Sequence, residues 1–191
     1  RKDFRSLTEI VYSRTSYRLT DIMHKEHPNA ISKLSKGHAY DMSSNIFDRL
    51  PEIFFDNKPI DENEYIKILG RAENRRIYKY IRRDYINDVD NLGYYKVLIP
   101  QANGNGIFGE VISSPIIEEP YVGNTETFIS IGKFSSRSEA EAVGKYISTK
   151  YSRTLLGVLK VTQNGNKPVW KYIPLQDFTS SSDIDWSKSI H

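Results

Sequence analysis

The sequence predicts an α+β fold, a twisted mixed β-sheet with β-hairpins and a few packing helices. Three observations predict it. Two short runs rich in β-formers, 65–69 and 76–81, flank a turn-like stretch that starts at Gly70. Further apolar runs occur at 94–100, 108–113 and 127–131. A single strong helical pattern follows them, and strands grouped ahead of a helix argue for α+β rather than a parallel α/β sheet.

Taken in order, residues 5–30 are polar and ambiguous. Ile10, Ile22 and Met23 are candidates for helices, and His27-Pro28 is a natural stop. Residues 70–75 join strands 65–69 and 76–81 as a hairpin turn, which would set the local basic residues at the turn and on one face of a ribbon. A seam near Asp84 to Asn91 divides the chain into parts 1–90 and 91–191. The run 94–100 reads as a buried strand ended by Pro100, and Asn103-Gly104-Asn105-Gly106 as a tight loop, since Asn and Gly tolerate positive φ. Ser136 stands three residues before Glu139 at capping-box spacing, with Phe134 as a hydrophobic staple. Ala140, Val143, Ile147 and Tyr151 then share a helical face, which Leu155, Leu156 and Leu159 extend as one helix. Asn164-Gly165-Asn166 reads as a turn, and 169–173 as a last short strand before Pro174.

The 191 residues carry a formal charge of only +3, but the charge is unevenly placed. Lys67, Arg71, Arg75, Arg76, Lys79, Arg82 and Arg83 fall in one stretch with Glu73 as the sole acid. Residues 142–176 hold Lys145, Lys150, Arg153, Lys160, Lys167 and Lys171 and no acid. Such stretches can neutralise phosphates, or simply form solvated faces. The absence of cysteine excludes disulfides and thiolate metal sites and fits a cytoplasmic setting. No apolar run approaches membrane-spanning length and no signal peptide is visible. The chain starts at Arg1 rather than Met, which reads as a fragment of a larger enzyme.

Catalytic candidates are few. Asp56-Asn57-Lys58 has the acid-x-Lys form of a magnesium-dependent nuclease, with Asp41 or Asp48 as the upstream acid. That triplet is common by chance and sits in loop-like surroundings. His24 and His27 are three apart without an evident third metal ligand, and solvated histidines are the plainer expectation. Candidates for DNA contact are more numerous, because Arg and Lys suit guanine and phosphate, Asn suits adenine and Glu suits cytosine. They are Arg71, Arg75, Arg76 and Lys79 on the hairpin, Lys96, Asn103, Asn105, Glu126, and Lys133, Lys145, Lys150 and Arg153. For the asparagines, turn geometry is an equal explanation. Tyr94, Tyr95, Trp170 and Tyr172 can stack on bases, although packing accounts for most of them.

An ordered series then adds a resemblance. Tyr95-Lys96-Val97-Leu98-Ile99-Pro100-Gln101-Ala102-Asn103-Gly104 precedes Phe108-Gly109-Glu110, Thr125-Glu126-Thr127-Phe128-Ile129, Tyr146-Ile147 and Arg153-Thr154-Leu155-Leu156. Lys160-Val161-Thr162-Gln163, Trp170-Lys171-Tyr172-Ile173-Pro174, Asp177-Phe178 and Ile184-Asp185-Trp186 complete it. Over 65–190 this series resembles the C-terminal target-recognition region of adenine-specific DNA methyltransferases of bacterial restriction-modification systems, the type IIG group above all. The resemblance implies sequence-specific recognition of double-stranded DNA. It also implies a partner catalytic domain in the same polypeptide that binds S-adenosylmethionine and methylates a flipped adenine, with or without a fused endonuclease. The Asn/Asp-Pro-Pro-Tyr/Phe motif of that domain is missing here, since no two prolines are adjacent, and no glycine-rich cofactor loop is present. The expectation is therefore a non-catalytic region that holds no cofactor itself. Two alternatives stand beside it: a nuclease fragment around Asp56 and Lys58, and a module that docks onto a partner subunit.

Overall fold

A computed structural model describes residues 4–102, 113–160 and 164–188. Its helices are α1 (Asp21–Glu26), α2 (Ala30–Lys33), α3 (Ile46–Arg49), α4 (Arg137–Ser148) and α5 (Lys150–Leu159). Its strands are β1 (Tyr65–Ala72), β2 (Arg75–Arg82), β3 (Tyr95–Pro100), β4 (Ile116–Glu118), β5 (Val122–Asn124) and β6 (Phe128–Phe134). The strands form two small sheets, ordered β2-β1-β5 and β4-β3-β6, so the fold is α+β as the sequence predicts. The chain divides into a hairpin unit, Arg14–Gly93 with Tyr121–Phe128, and a helix unit, Arg1–Ser13 with Tyr94–Pro120 and Ile129–His191. It crosses between them after Ser13, Gly93, Pro120 and Phe128, where the sequence suggested a single seam at 84–91. No helix among the described residues is long and apolar enough to cross a membrane.

In the hairpin unit β1 and β2 pair without interruption from Tyr65↔Arg82 to Ala72↔Arg75. The turn is therefore two residues, Glu73 and Asn74, and both have positive φ, 48° and 62°. Positive φ at both positions is what a type I′ turn needs, and its twist matches that of the flanking strands. The strand runs on through Gly70, where the sequence suggested a turn. The reason is packing: a Cβ at Gly70 would lie 2.4 Å from the Phe47 ring and 2.9 Å from the Thr125 methyl. Ile66, Ile68 and Ile81 bury one side of the ribbon against Tyr17, Met23, Met42, Ile46, Phe47 and Leu50. β5 adds to β1 in parallel, from Lys67↔Val122 to Leu69↔Asn124. On the other edge, Phe55 exchanges two backbone hydrogen bonds with Tyr80, at 2.9 and 2.7 Å.

The foot of the hairpin is tied to α1. The Arg82 guanidinium donates to Asp84 at 2.5 Å and to Glu26 at 2.6 Å, and it lies 4.5 Å over the Tyr85 ring. The Tyr85 hydroxyl donates to Glu26 at 2.6 Å. Burial first, and then the neighbouring Glu26 carboxylate, push the Tyr85 phenol up to about 12. α1 begins at Thr20, whose side chain accepts from the Met23 N–H, and it stops at His27 just before Pro28.

The helix unit is centred on β3, where residues from Lys96 to Ile99 are all buried. α4 packs on β3 and β4 and shares a core with Leu7, Val11, Ile129, Ile131, Trp170 and Ile173. The N-terminal segment is stitched in by backbone bonds, Leu7 N–H to Ile173 O at 2.8 Å and Tyr12 N–H to Ser130 O at 2.8 Å. Here the sequence expectation of one long helix is corrected. Thr149 has extended geometry, ψ 153°, and ends α4 while capping α5. Its hydroxyl donates to Tyr146 O at 2.8 Å and accepts from the Ser152 N–H at 3.1 Å, satisfying groups at both helix ends. Tyr151, expected on the apolar stripe, is consequently 54% exposed. The expected strand 169–173 is also absent. Pro168 opens a 3₁₀ turn, Lys167–Trp170, which lets the buried Trp170 indole donate to Gly165 O at 3.1 Å. The loop 103–106 and all of the run 108–113 except Ser113 lie outside the described residues.

Gly70 supplies a stability test. Gly70→Ala is expected to destabilise the protein by about 1–3 kcal/mol, the usual range for overpacking a filled core. Urea unfolding measures it, and an unchanged midpoint would refute the close approach of Phe47.

Candidate nucleic-acid interface

In an antiparallel pair, residues directly opposite each other share a face, and neighbours along a strand alternate. The β1–β2 register therefore assigns every basic residue of the hairpin to a side. Arg71 stands opposite Arg76, away from the core, and both are exposed. Arg75 and Lys79 lie on the opposite side with Ile77 and Ile81. The expectation that these residues sit at a turn over 70–75 and on one face of the ribbon is thus corrected: the turn is two residues, and it puts consecutive Arg75 and Arg76 on opposite sides. Lys79 is further committed, since its ammonium donates to Asp56 at 2.6 Å. Arg71 donates to the Asn74 side chain at 3.4 Å, and the Arg76 guanidinium carbon lies 5.9 Å from the Phe128 ring centre.

The outward side carries more than the sequence singled out. Tyr65, Lys67, Leu69, Tyr78, Tyr80 and Arg82 fall on it by register, with Leu69 fully buried opposite Tyr78, and Phe55 joins through its bridge to Tyr80. Lys67 places its ammonium 5.6 Å from the Tyr80 ring centre. The Phe55 and Tyr65 rings meet edge to face at 5.9 Å. Tyr78 is 44% and Phe55 38% exposed. The signal was present as the alternation Arg76, Tyr78, Tyr80 on one strand and Lys67, Arg71 on the other, but it becomes a surface only once the turn length is known. Neither strand contains an acid; Glu73 sits in the turn.

The remaining candidates are distributed differently. Glu126, also in the hairpin unit, is half-buried, with its backbone N–H on Met42 O at 2.8 Å and its carboxylate 3.8 Å from Arg14. In the helix unit, Lys133 is exposed beside Tyr94, 4.9 Å from the ring centre. Lys145 donates to the Trp186 carbonyl at 2.6 Å. Arg153 is half-buried on α5, and Lys150 is exposed at its start. Asn103 and Asn105 lie outside the described residues.

Lys96 is fully buried, so its ammonium is not presented to a phosphate. It lies near the buried Glu118 and 3.4 Å from the Glu119 carbonyl. Burial lowers its pKa to about 8, with Glu118 opposing the shift.

The catalytic alternatives find little geometry. Asp56 and Lys58 occupy a loop, and Asp56 pairs with Lys79. Asp41 accepts from His38 at 2.6 Å, and Asp48 lies on α3. His24, expected to be solvated, is buried with Nε2 at 2.8 Å from Ala39 O, whereas His27 Nε2 lies 3.1 Å from the Tyr85 hydroxyl. Among the described residues no group of three or more His, Asp or Glu side chains is placed to hold a metal. No protein-family model, curated protein or solved structure matches the chain.

Lys96 generates a pH prediction. Below about pH 8 the ammonium is charged in both folded and unfolded states, so burial costs stability in full. Between about 8 and the ordinary lysine value the unfolded chain binds more protons, so stability gains with rising pH. The stability of the wild type relative to Lys96→Met is therefore expected to increase from pH 7 to pH 9.5 in urea unfolding. A pH-independent difference would contradict the burial of the charged amine.

Proposed function

We propose that this chain reads the sequence of double-stranded DNA as the target-recognition region of an adenine-N6 methyltransferase of a restriction-modification system. The observation that carries the DNA contact is the Arg71–Arg76 pair, exposed and directly opposed near the tip of a two-stranded ribbon whose strands hold no acid. A ribbon of this width fits the major groove, and a guanidinium there can pair with a guanine edge or grip a phosphate. Arg75, on the other side of the same tip, gives the ribbon a cation toward each wall of a groove. The motif series over 65–190 is what joins this contact to a methyltransferase. The parent enzyme then acts in the cytoplasm, where a catalytic domain elsewhere in the polypeptide supplies S-adenosylmethionine chemistry and this region holds no cofactor.

Selection of duplexes from a random library by the purified chain tests the reading. A single enriched sequence is expected, with affinity falling by on the order of 0.9 log unit per log unit of salt for each phosphate neutralised. Arg71→Ala with Arg76→Ala is expected to weaken binding at least tenfold. Where the two side chains grip phosphates, the salt slope falls by about 2; where they read guanine, the enriched sequence relaxes instead. Failure to retain any duplex at low salt, or binding that ignores both substitutions, would refute it.

A further inference from the structure

The outward side of the β1–β2 ribbon has chemistry that a duplex does not use. Tyr78 and Phe55 present ring surface to solvent, and Tyr65 and Tyr80 lie half-buried beside them. Intact duplex DNA offers base edges and phosphates, because the faces of its bases are already stacked on each other. Ring faces on a cationic sheet are complementary to bases that have left the stack. We propose that this side is a stacking platform for an unpaired segment of single-stranded DNA, resting on the reading above only in taking DNA as the ligand.

Spacing supports the assignment. Residues that share a face of a strand repeat every two positions, about 6.8 Å for an antiparallel strand. That is twice the ~3.4 Å advance per nucleotide along one strand of a stacked duplex. Tyr78 and Tyr80 therefore do not match successive bases in a stack, but they do match a strand drawn out of it. Charge supports it as well. Lys67, Arg71 and Arg76 share the face, and like charges directly opposite each other across a sheet repel. A phosphate between Arg71 and Arg76 relieves that repulsion. Lys67 is already held beside the Tyr80 ring, which orders a cation next to the aromatic surface rather than in free solvent. The side facing Phe47 is filled by the core around Ile66, Ile68 and Ile81; it carries Lys79, already paired with Asp56, and the exposed Arg75 near the tip.

The test uses the whole chain and four labelled ligands: a short oligo(dT), the same strand lacking bases, an oligo(rU) of equal length, and a duplex. Oligo(dT) is expected to bind, and Tyr78→Ala to weaken it about 5- to 150-fold, the range for losing one stacked base. Tyr78→Phe, which keeps the ring, is expected to retain binding. The abasic strand is expected to bind weakly and to ignore Tyr78→Ala, and duplex affinity to change less than about threefold. Duplex binding combined with no oligo(dT) binding, or with oligo(dT) binding that ignores Tyr78→Ala, overturns this proposal and leaves target recognition standing. Loss of binding in both Tyr78→Ala and Tyr78→Phe, with urea midpoints unchanged, overturns stacking as the cause. Tighter capture of oligo(rU) than oligo(dT) overturns the choice of DNA. Failure of every ligand to bind overturns target recognition itself.

Discussion

Between Ala72 and Arg75 the chain reverses direction in two residues, both held at positive φ. A two-residue connection of this handedness matches the twist of the strands it joins, and it fixes the register of every pair down to Tyr65↔Arg82. A slip of one residue would exchange the faces of a whole strand. Ile66 and Ile68 would then meet solvent, and Lys67 and Arg71 would enter the core. The placement of Ile66, Ile68 and Ile81 on one side and of Lys67, Arg71, Tyr78 and Tyr80 on the other thus rests on one turn. The core below enforces the same answer, because Phe47 fits beside β1 only at the position where Gly70 leaves room.

The foot of the ribbon is secured by different physics. Arg82 shares its guanidinium between two carboxylates and an aromatic face, and Tyr85 closes the loop on Glu26. Individual exposed ion pairs contribute little, but a network with a half-buried arginine and fixed partners orders the groups it joins. α1 and the base of the hairpin are therefore held while the tip, with Arg71, Arg75 and Arg76, extends into solvent. Lys96 shows the opposite placement in the helix unit, where a cation of the same nominal type is buried beside Glu118 and serves packing rather than contact.

Features encoded over a few adjacent residues were legible in the sequence. The β1 and β2 runs, β3 up to Pro100, the start of α4 at Ser136 and the stop of α1 before Pro28 all follow from local periodicity or capping chemistry. Features decided by neighbours were not. The apolar stripe from Ala140 to Leu159 continues smoothly across Thr149, so only the paired hydrogen bonds of that hydroxyl reveal two helices. Val169–Ile173 has strand-like composition, yet the Trp170 indole finds its acceptor only in a 3₁₀ turn. The candidate interface was half legible. Basic residues could be counted from the sequence, but their faces, and the aromatic rings that share one of them, depend on the register. Lys96 looked like a surface cation because alternation says nothing about a strand covered on both sides.

The parallel ladder between β1 and β5 has a consequence for how the chain is made. Lys67 pairs with Val122 and Leu69 with Asn124, while Thr125 supplies a methyl group beside Gly70. The hairpin itself can close as soon as Arg82 has emerged from the ribosome, since its contacts are local. The sheet it belongs to cannot, because its third strand arrives only after β3 and β4 have been synthesised. Pairings this distant along the chain are slow to find, and until then one edge of β1 lies open to other chains. Nascent protein that carries the cationic hairpin but not yet residues 121–128 is thus the species most exposed to misassembly, and its lifetime is set by translation rather than by the stability of the finished fold.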